Sequence, residues 1–75
     1  MNVVAIYDQK KEEIVLFYEG KVGEDELRET LVEKVPPYMV PERIKQVRHL
    51  VYNANGKIDR RYYKDHFSEV LEKGE

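Results

Sequence analysis

Apolar residues first gather in two short runs, Val3 to Tyr7 and Ile14 to Tyr18. Between them lies the polar break Asp8-Gln9-Lys10-Lys11-Glu12-Glu13. Both runs are β-branched or aromatic and too short for helices, so they read as strands joined in an antiparallel hairpin. Neither alternates cleanly between apolar and polar, and near-continuous apolar strands want cover on both faces. Gly20-Lys21-Val22-Gly23 has the outline of a nucleic-acid-clamping loop, but it joins a strand to a helix and reads as a connection. From Gly23 the pattern turns helical. Glu24, Asp25 and Glu26 suit the positive end of a helix dipole, and Leu27, Leu31 and Val35 form one apolar stripe. Pro36-Pro37 stops this helix, and Tyr38-Met39-Val40-Pro41 should continue as a rigid, extended connector.

Ile44, Val47, Leu50 and Val51 mark a third strand with polar residues interleaved. Asn53-Ala54-Asn55-Gly56 is a turn in which Asn-Gly can supply positive φ at both central positions. Asp59 is placed to cap a second helix whose apolar stripe is Tyr63, Phe67, Val70 and Leu71. Lys73-Gly74-Glu75 should fray. The order is strand, strand, helix, strand, helix, in an α+β fold. The helix between the second and third strands implies a right-handed crossover, so those strands run the same way. The expectation is a mainly antiparallel three-stranded sheet of order 2-1-3, with both helices packed on one face. That leaves the other face poorly covered.

With 75 residues, the chain 1–75 is one domain, and a domain this small buries only about 60% of its unfolded surface. Cysteine is absent, so neither a disulfide framework nor a thiolate metal site can staple it. No apolar run approaches the roughly 20 residues needed to span a bilayer, and no signal-peptide layout is present at the start. The expectation is a soluble cytoplasmic domain with no membrane span. The net charge of −2 argues against nucleic acid as the partner. Charge is nevertheless uneven: from Arg43 to His66 seven basic residues face two acidic ones. Such a segment offers a local cationic face to an anion, or is a solvated surface.

Most catalytic constellations are missing. Ser68, the only serine, lies two residues from His66, and residues two apart on a helix do not face each other. His49 and His66 lack metal-ligand spacing, so no metal site is expected in this chain. The informative stretch is Asn55-Gly56-Lys57-Ile58-Asp59-Arg60. It sets a lysine directly after a tight turn, with its ammonium on a flexible stem that can reach beyond its own domain. An ordinary exposed lysine fits the same pattern.

Pro37-Tyr38-Met39-Val40-Pro41, then Ile44, then Asn55-Gly56-Lys57-Ile58-Asp59-Arg60 resembles the small C-terminal subdomain of the adenylate-forming enzymes. These include acyl-CoA synthetases, adenylation domains of nonribosomal peptide synthetases, and D-alanine-activating ligases. Glu26-Leu27-Arg28 and Leu31 also fit the helix that precedes the proline motif. The family usually has Leu-Pro and Thr ahead of Asn-Gly-Lys, where this chain has Leu50-Val51 and Asn53.

The resemblance implies a mobile lid on an ATP-dependent ligase. A large N-terminal domain binds ATP, Mg²⁺ and a carboxylic acid, and acyl-adenylate forms with release of pyrophosphate. The acyl group then passes to a thiol, of phosphopantetheine on a carrier protein or of CoA. Lys57 is the implied catalytic residue. Asn55 and Gly56 would shape the turn that aims it, and Arg60 and Arg61 would supply supporting positive potential. The Asn-Gly-Lys-Ile-Asp-Arg wording leans toward an amino-acid-activating parent that loads a carrier protein. On its own the 75-residue chain is not expected to be active. The alternatives are a non-catalytic protein-interaction module of the same fold, and a nucleic-acid binder using Arg60, Arg61, Tyr62 and Tyr63, which net acidity counts against.

Overall fold

In the computed structural model, which describes residues 2–73, the elements are β1 (Asn2–Asp8), β2 (Glu13–Glu19), α1 (Glu24–Lys34), β3 (Arg43–Val47) and α2 (Arg60–Lys73). The α+β class and the order of elements are those expected. α2 continues through Lys73, and Gly74 and Glu75, where fraying was expected, lie outside the described residues.

The β1–β2 hairpin pairs Asn2 with Glu19 through Asp8 with Glu13. Its turn is organised by Asp8, which is only 8% exposed. Asp8 Oδ1 accepts from the amides of Lys10 at 3.1 Å and Lys11 at 3.3 Å. Glu12 completes the reversal in the left-handed region at φ 53°. An aspartate that bonds its own backbone two residues on is a standard turn device.

The sheet order is β1-β2-β3, not 2-1-3. β2 pairs antiparallel with β1 and parallel with β3, so one of the two pairings is antiparallel and the sheet is mixed. The helices also lie on opposite faces rather than one. Val15 and Phe17 of β2 join Val4, Ile6, Val47 and Leu50 beneath Tyr63 and Val70 of α2. Leu16 and Tyr18 of β2 join Ile44 beneath Leu27 and Leu31 of α1.

The cause of both corrections is the uninterrupted run in β2. Val15, Leu16, Phe17 and Tyr18 are all buried, so this strand needs a neighbour on each edge and a helix on each face. β1, by contrast, alternates, with Val4, Ile6 and Asp8 buried and Val3, Ala5 and Tyr7 exposed. The β2-α1-β3 unit is then an ordinary parallel crossover.

α1 ends at Lys34, where Pro36 and Pro37 prevent its continuation. The connector is not extended throughout. Pro37–Met39 forms a 3-10 turn, closed by the Met39 amide on the Pro36 carbonyl at 2.9 Å. Arg28 clamps the following segment to α1, donating to the carbonyls of Pro41 at 2.8 Å and Glu42 at 3.1 Å. β3 stops at Val47 rather than reaching Val51. Arg48 and His49 turn outward, and Leu50 re-enters the core at 3% exposure without belonging to the sheet. No helix among the described residues is long and apolar enough to cross a membrane.

Burial on the α1 face makes a direct prediction. Leu27 is 8% exposed and Val32 on the same helix 59%. Leu27→Ala should lower the unfolding free energy by about 2–5 kcal/mol, whereas Val32→Ala should change it by less than about 0.5 kcal/mol. Urea denaturation of the two variants checks this. Equal midpoints would mean that α1 does not cover the sheet.

Candidate functional site

Lys57 sits in a short hairpin between β3 and α2, and the core holds this hairpin from below. Tyr63 supplies one anchor. Its ring is 1% exposed and lies against Phe17 with centroids 5.2 Å apart. Its hydroxyl accepts the Val51 amide at 2.8 Å. Burial pushes the Tyr63 phenol above its usual range.

Glu19, at the end of β2, supplies the second anchor. Its Oε2 accepts the Leu50 amide at 3.0 Å. Its Oε1 accepts the Tyr52 hydroxyl at 3.0 Å and the Asn2 amide group at 2.7 Å. Donors on the charged form hold the Glu19 carboxyl below its ordinary value, the Leu50 amide contributing most, then Asn2 and Tyr52. The Tyr52 phenol is raised in turn, chiefly by its bond to Glu19.

Above these anchors the stem closes. The Asp59 amide donates to the Val51 carbonyl at 2.8 Å, and Tyr52 bridges to Ile58 in antiparallel fashion. Asn53 and Lys57 form the last pair, through the Asn53 amide on the Lys57 carbonyl at 2.8 Å. The loop itself is Ala54-Asn55-Gly56, with the Gly56 amide donating to the Asn53 carbonyl at 3.0 Å. Gly56 alone takes the left-handed conformation, at φ 78°, while Asn55 does not. This is a three-residue hairpin loop ending on a left-handed glycine, not a two-residue Asn-Gly reversal. A Cβ on Gly56 would meet nothing within 4 Å, so glycine is needed for backbone conformation and not for space.

The residue that organises the loop is Asn53. Its Oδ1 accepts the Asn55 amide at 2.9 Å and the Lys57 amide at 3.2 Å. Lys57 is therefore fixed to Asn53 through both its backbone amide and its carbonyl. Its side chain is exposed, and among the described residues the ammonium has no hydrogen-bond or ion-pair partner. The result is a cation on a rigid base with a free tip, able to meet an anion on another molecule.

The other expected residues fall elsewhere. Asp59 caps α2 as anticipated, its Oδ1 accepting the Tyr62 amide at 3.0 Å. Arg60 donates to the Ala5 carbonyl on β1 at 3.1 Å, and Arg61 is exposed on the first turn of α2. His66 stacks on Tyr62 with ring centroids 4.6 Å apart and donates from Nδ1 to the Tyr62 carbonyl at 2.9 Å. No group of three or more His, Asp or Glu among the described residues is arranged to hold a metal ion. The sequence pattern does not single out Asn53 or Glu19 as site residues, and it marks Tyr63 for the helix stripe or for stacking on nucleic acid, not for holding the Lys57 hairpin. For Asn53 a signal existed, because Asn-x-Asn-Gly has the spacing of a side chain that caps a turn two residues on. Nothing local marks that role for Glu19 or Tyr63, whose partners lie 31 and 12 residues away.

No family model matches the chain. A 38-residue stretch, 51% of the chain, is 47% identical to cyclosporin synthetase of Tolypocladium inflatum. A 42-residue stretch, 56% of the chain, is 45% identical to the AMB antimetabolite synthetase AmbE of Pseudomonas aeruginosa. Both are nonribosomal peptide synthetases, and the likeness supports a relation to the adenylation enzymes of that class. The matched stretches amount to 0% and 2% of those proteins, to the nearest per cent.

Three variants test this geometry, two of them in the Lys57 hairpin. Asn53→Ala removes one acceptor serving two amides and should cost roughly 1–3 kcal/mol. Gly56→Ala should cost about 1–2 kcal/mol for the left-handed conformation. Urea unfolding of each variant measures both. The lowered Glu19 pKa contributes stability that is fully present above the ordinary glutamate value of 4.5 and is lost as pH falls through the lower folded value. Glu19→Gln should therefore differ from wild type most near neutral pH, and the two unfolding curves should converge in acid. A difference that persists unchanged at low pH would remove the carboxylate from this role.

Proposed function

We propose that this chain is the C-terminal lid of an ATP-dependent, adenylate-forming ligase, and that Lys57 is the catalytic cation it delivers. The observation that carries the reading is the rigid backbone and unpartnered ammonium of Lys57 within the Asn55-Gly56-Lys57 turn. The relation to two nonribosomal peptide synthetases supports it and favours an amino-acid-activating parent that loads a carrier-protein thiol, with a CoA thiol as the other acceptor. The reaction belongs in the cytoplasm, where ATP is.

The chemistry calls for such a group. A carboxylate oxygen of the substrate attacks the α-phosphorus of ATP. The bond from that phosphorus to the bridging oxygen of the β-phosphate breaks, and pyrophosphate leaves. Two anions must approach, and a compact ammonium between them offsets their repulsion and steadies the in-line transition state. At ~4 Å and an effective dielectric of ~20, one such pair interacts by about 4 kcal/mol. Felt mainly in the transition state, that is roughly a thousandfold in rate. Asn55 and Gly56, held by Asn53, aim the lysine. Arg60 and Arg61 add background positive potential. No side-chain cluster among the described residues is arranged to hold Mg²⁺, so this reading leaves the ion to the large ATP-binding domain.

The test is a chimera in which this chain replaces the lid of a nonribosomal adenylation enzyme, followed by ATP–pyrophosphate exchange. Lys57→Ala should lower exchange by about a thousandfold, with the unfolding midpoint of the chain unchanged because the side chain is exposed. Exchange at the unsubstituted rate in the Lys57→Ala chimera would refute the assignment.

A further inference from the structure

A second feature, which shares only Arg60 and Arg61 with the site around Lys57, is the outer edge of β1. Ala5 turns its carbonyl away from β2, since that oxygen accepts from Arg60. In an antiparallel strand backbone groups alternate sides, so Val3 and Tyr7 also turn their amides and carbonyls outward. Alongside this edge, between β1 and α2, runs a groove in two adjoining stretches that share Lys64. One, of about 450 Å³, is lined by Ile6, Arg60, Arg61, Lys64 and Asp65. The other, of about 390 Å³, includes Tyr7, Asp8, Lys10, Lys11, Lys64 and Phe67.

Five cations thus flank one strand edge, in a chain whose net charge is −2. Of the two acids in the groove, Asp8 is buried and occupied by the amides of its own turn, which leaves Asp65. We propose that the β1 edge is a docking site for an extended acidic peptide. The peptide would add to the sheet as a fourth strand, with its carboxylates read by Arg60, Arg61, Lys64, Lys10 and Lys11. Arg60 caps the edge in the free protein and transfers from the Ala5 carbonyl to a peptide carboxylate on binding.

The repeat of outward backbone groups selects the occupant. It recurs every two residues, about 7 Å, which an extended polypeptide matches and a sugar-phosphate backbone does not. A second copy of this chain fits poorly, because two β1 edges brought together would set their cationic flanks against each other.

A labelled peptide of about eight residues, long enough to cover β1, with glutamate and valine alternating, should bind the full chain in fluorescence anisotropy at low salt. The amides of Val3 and Tyr7 should gain hydrogen-exchange protection. The same peptide with alternate amides N-methylated keeps its charge but loses its donors, and should bind at least about tenfold more weakly. The Lys10→Glu, Lys64→Glu double variant should weaken the unmodified peptide by a similar factor, while Lys57→Ala leaves it unchanged. Absence of binding, equal binding of the methylated peptide, or no effect of the double charge reversal would each overturn the proposal. So would an oligonucleotide that binds more tightly than the peptide.

Discussion

Four consecutive buried side chains, Val15 to Tyr18, set the terms for this small fold. A strand whose neighbouring residues point to opposite faces can bury all four only if both faces are roofed. In 75 residues there is material for two helices, so each face receives one. The central position of β2 and the crossover through α1 follow from the same demand. Each roofing helix then carries a further duty. α1 holds the segment that enters β3, through Arg28. α2 holds the segment that leaves it, through the Tyr63 hydroxyl.

The hairpin bearing Lys57 therefore hangs from the core by side chains and not by the sheet. Glu19 and Tyr63 take the amides of Leu50 and Val51, two adjacent donors in a stretch that β3 has already abandoned. Unmet backbone donors near a core are costly, and these two are satisfied by groups that the strand and helix bring within reach. Beyond them the chain needs only Asn53 to complete the loop. The outcome is an exposed tip with an ordered stem, the condition for presenting a flexible cation from a defined place.

Much of this was legible in the residues. The two opening strands, the first helix and its proline stop, the Asp59 cap and the Tyr63-Phe67-Val70-Leu71 stripe all appear where local pattern puts them. What could not be read was arrangement. The unbroken apolar run Ile14 to Tyr18 signalled two covered faces, yet assigning helices to faces requires knowing which strand is central, and that is a non-local fact. Leu50 reads as strand by composition but packs from a loop, because burial and sheet membership are different constraints. At the site, Lys57 and Gly56 stood out by type. The loop length did not, because it was fixed by Asn53 closing on Lys57 across three residues rather than by the Asn-Gly pair itself.

Tyr63 joins two environments in one side chain: a ring sealed among core residues and an oxygen fastened to the loop. Any rearrangement that slides α2 along the sheet must drag Val51 with it, and the turn beyond Val51 moves as well. Substitutions deep beneath the surface, around the Tyr63 ring, would thus shift the turn that carries Lys57 before they register as unfolding. Because the fastening is wholly internal, the turn keeps its place on the domain whatever the domain as a whole is set against.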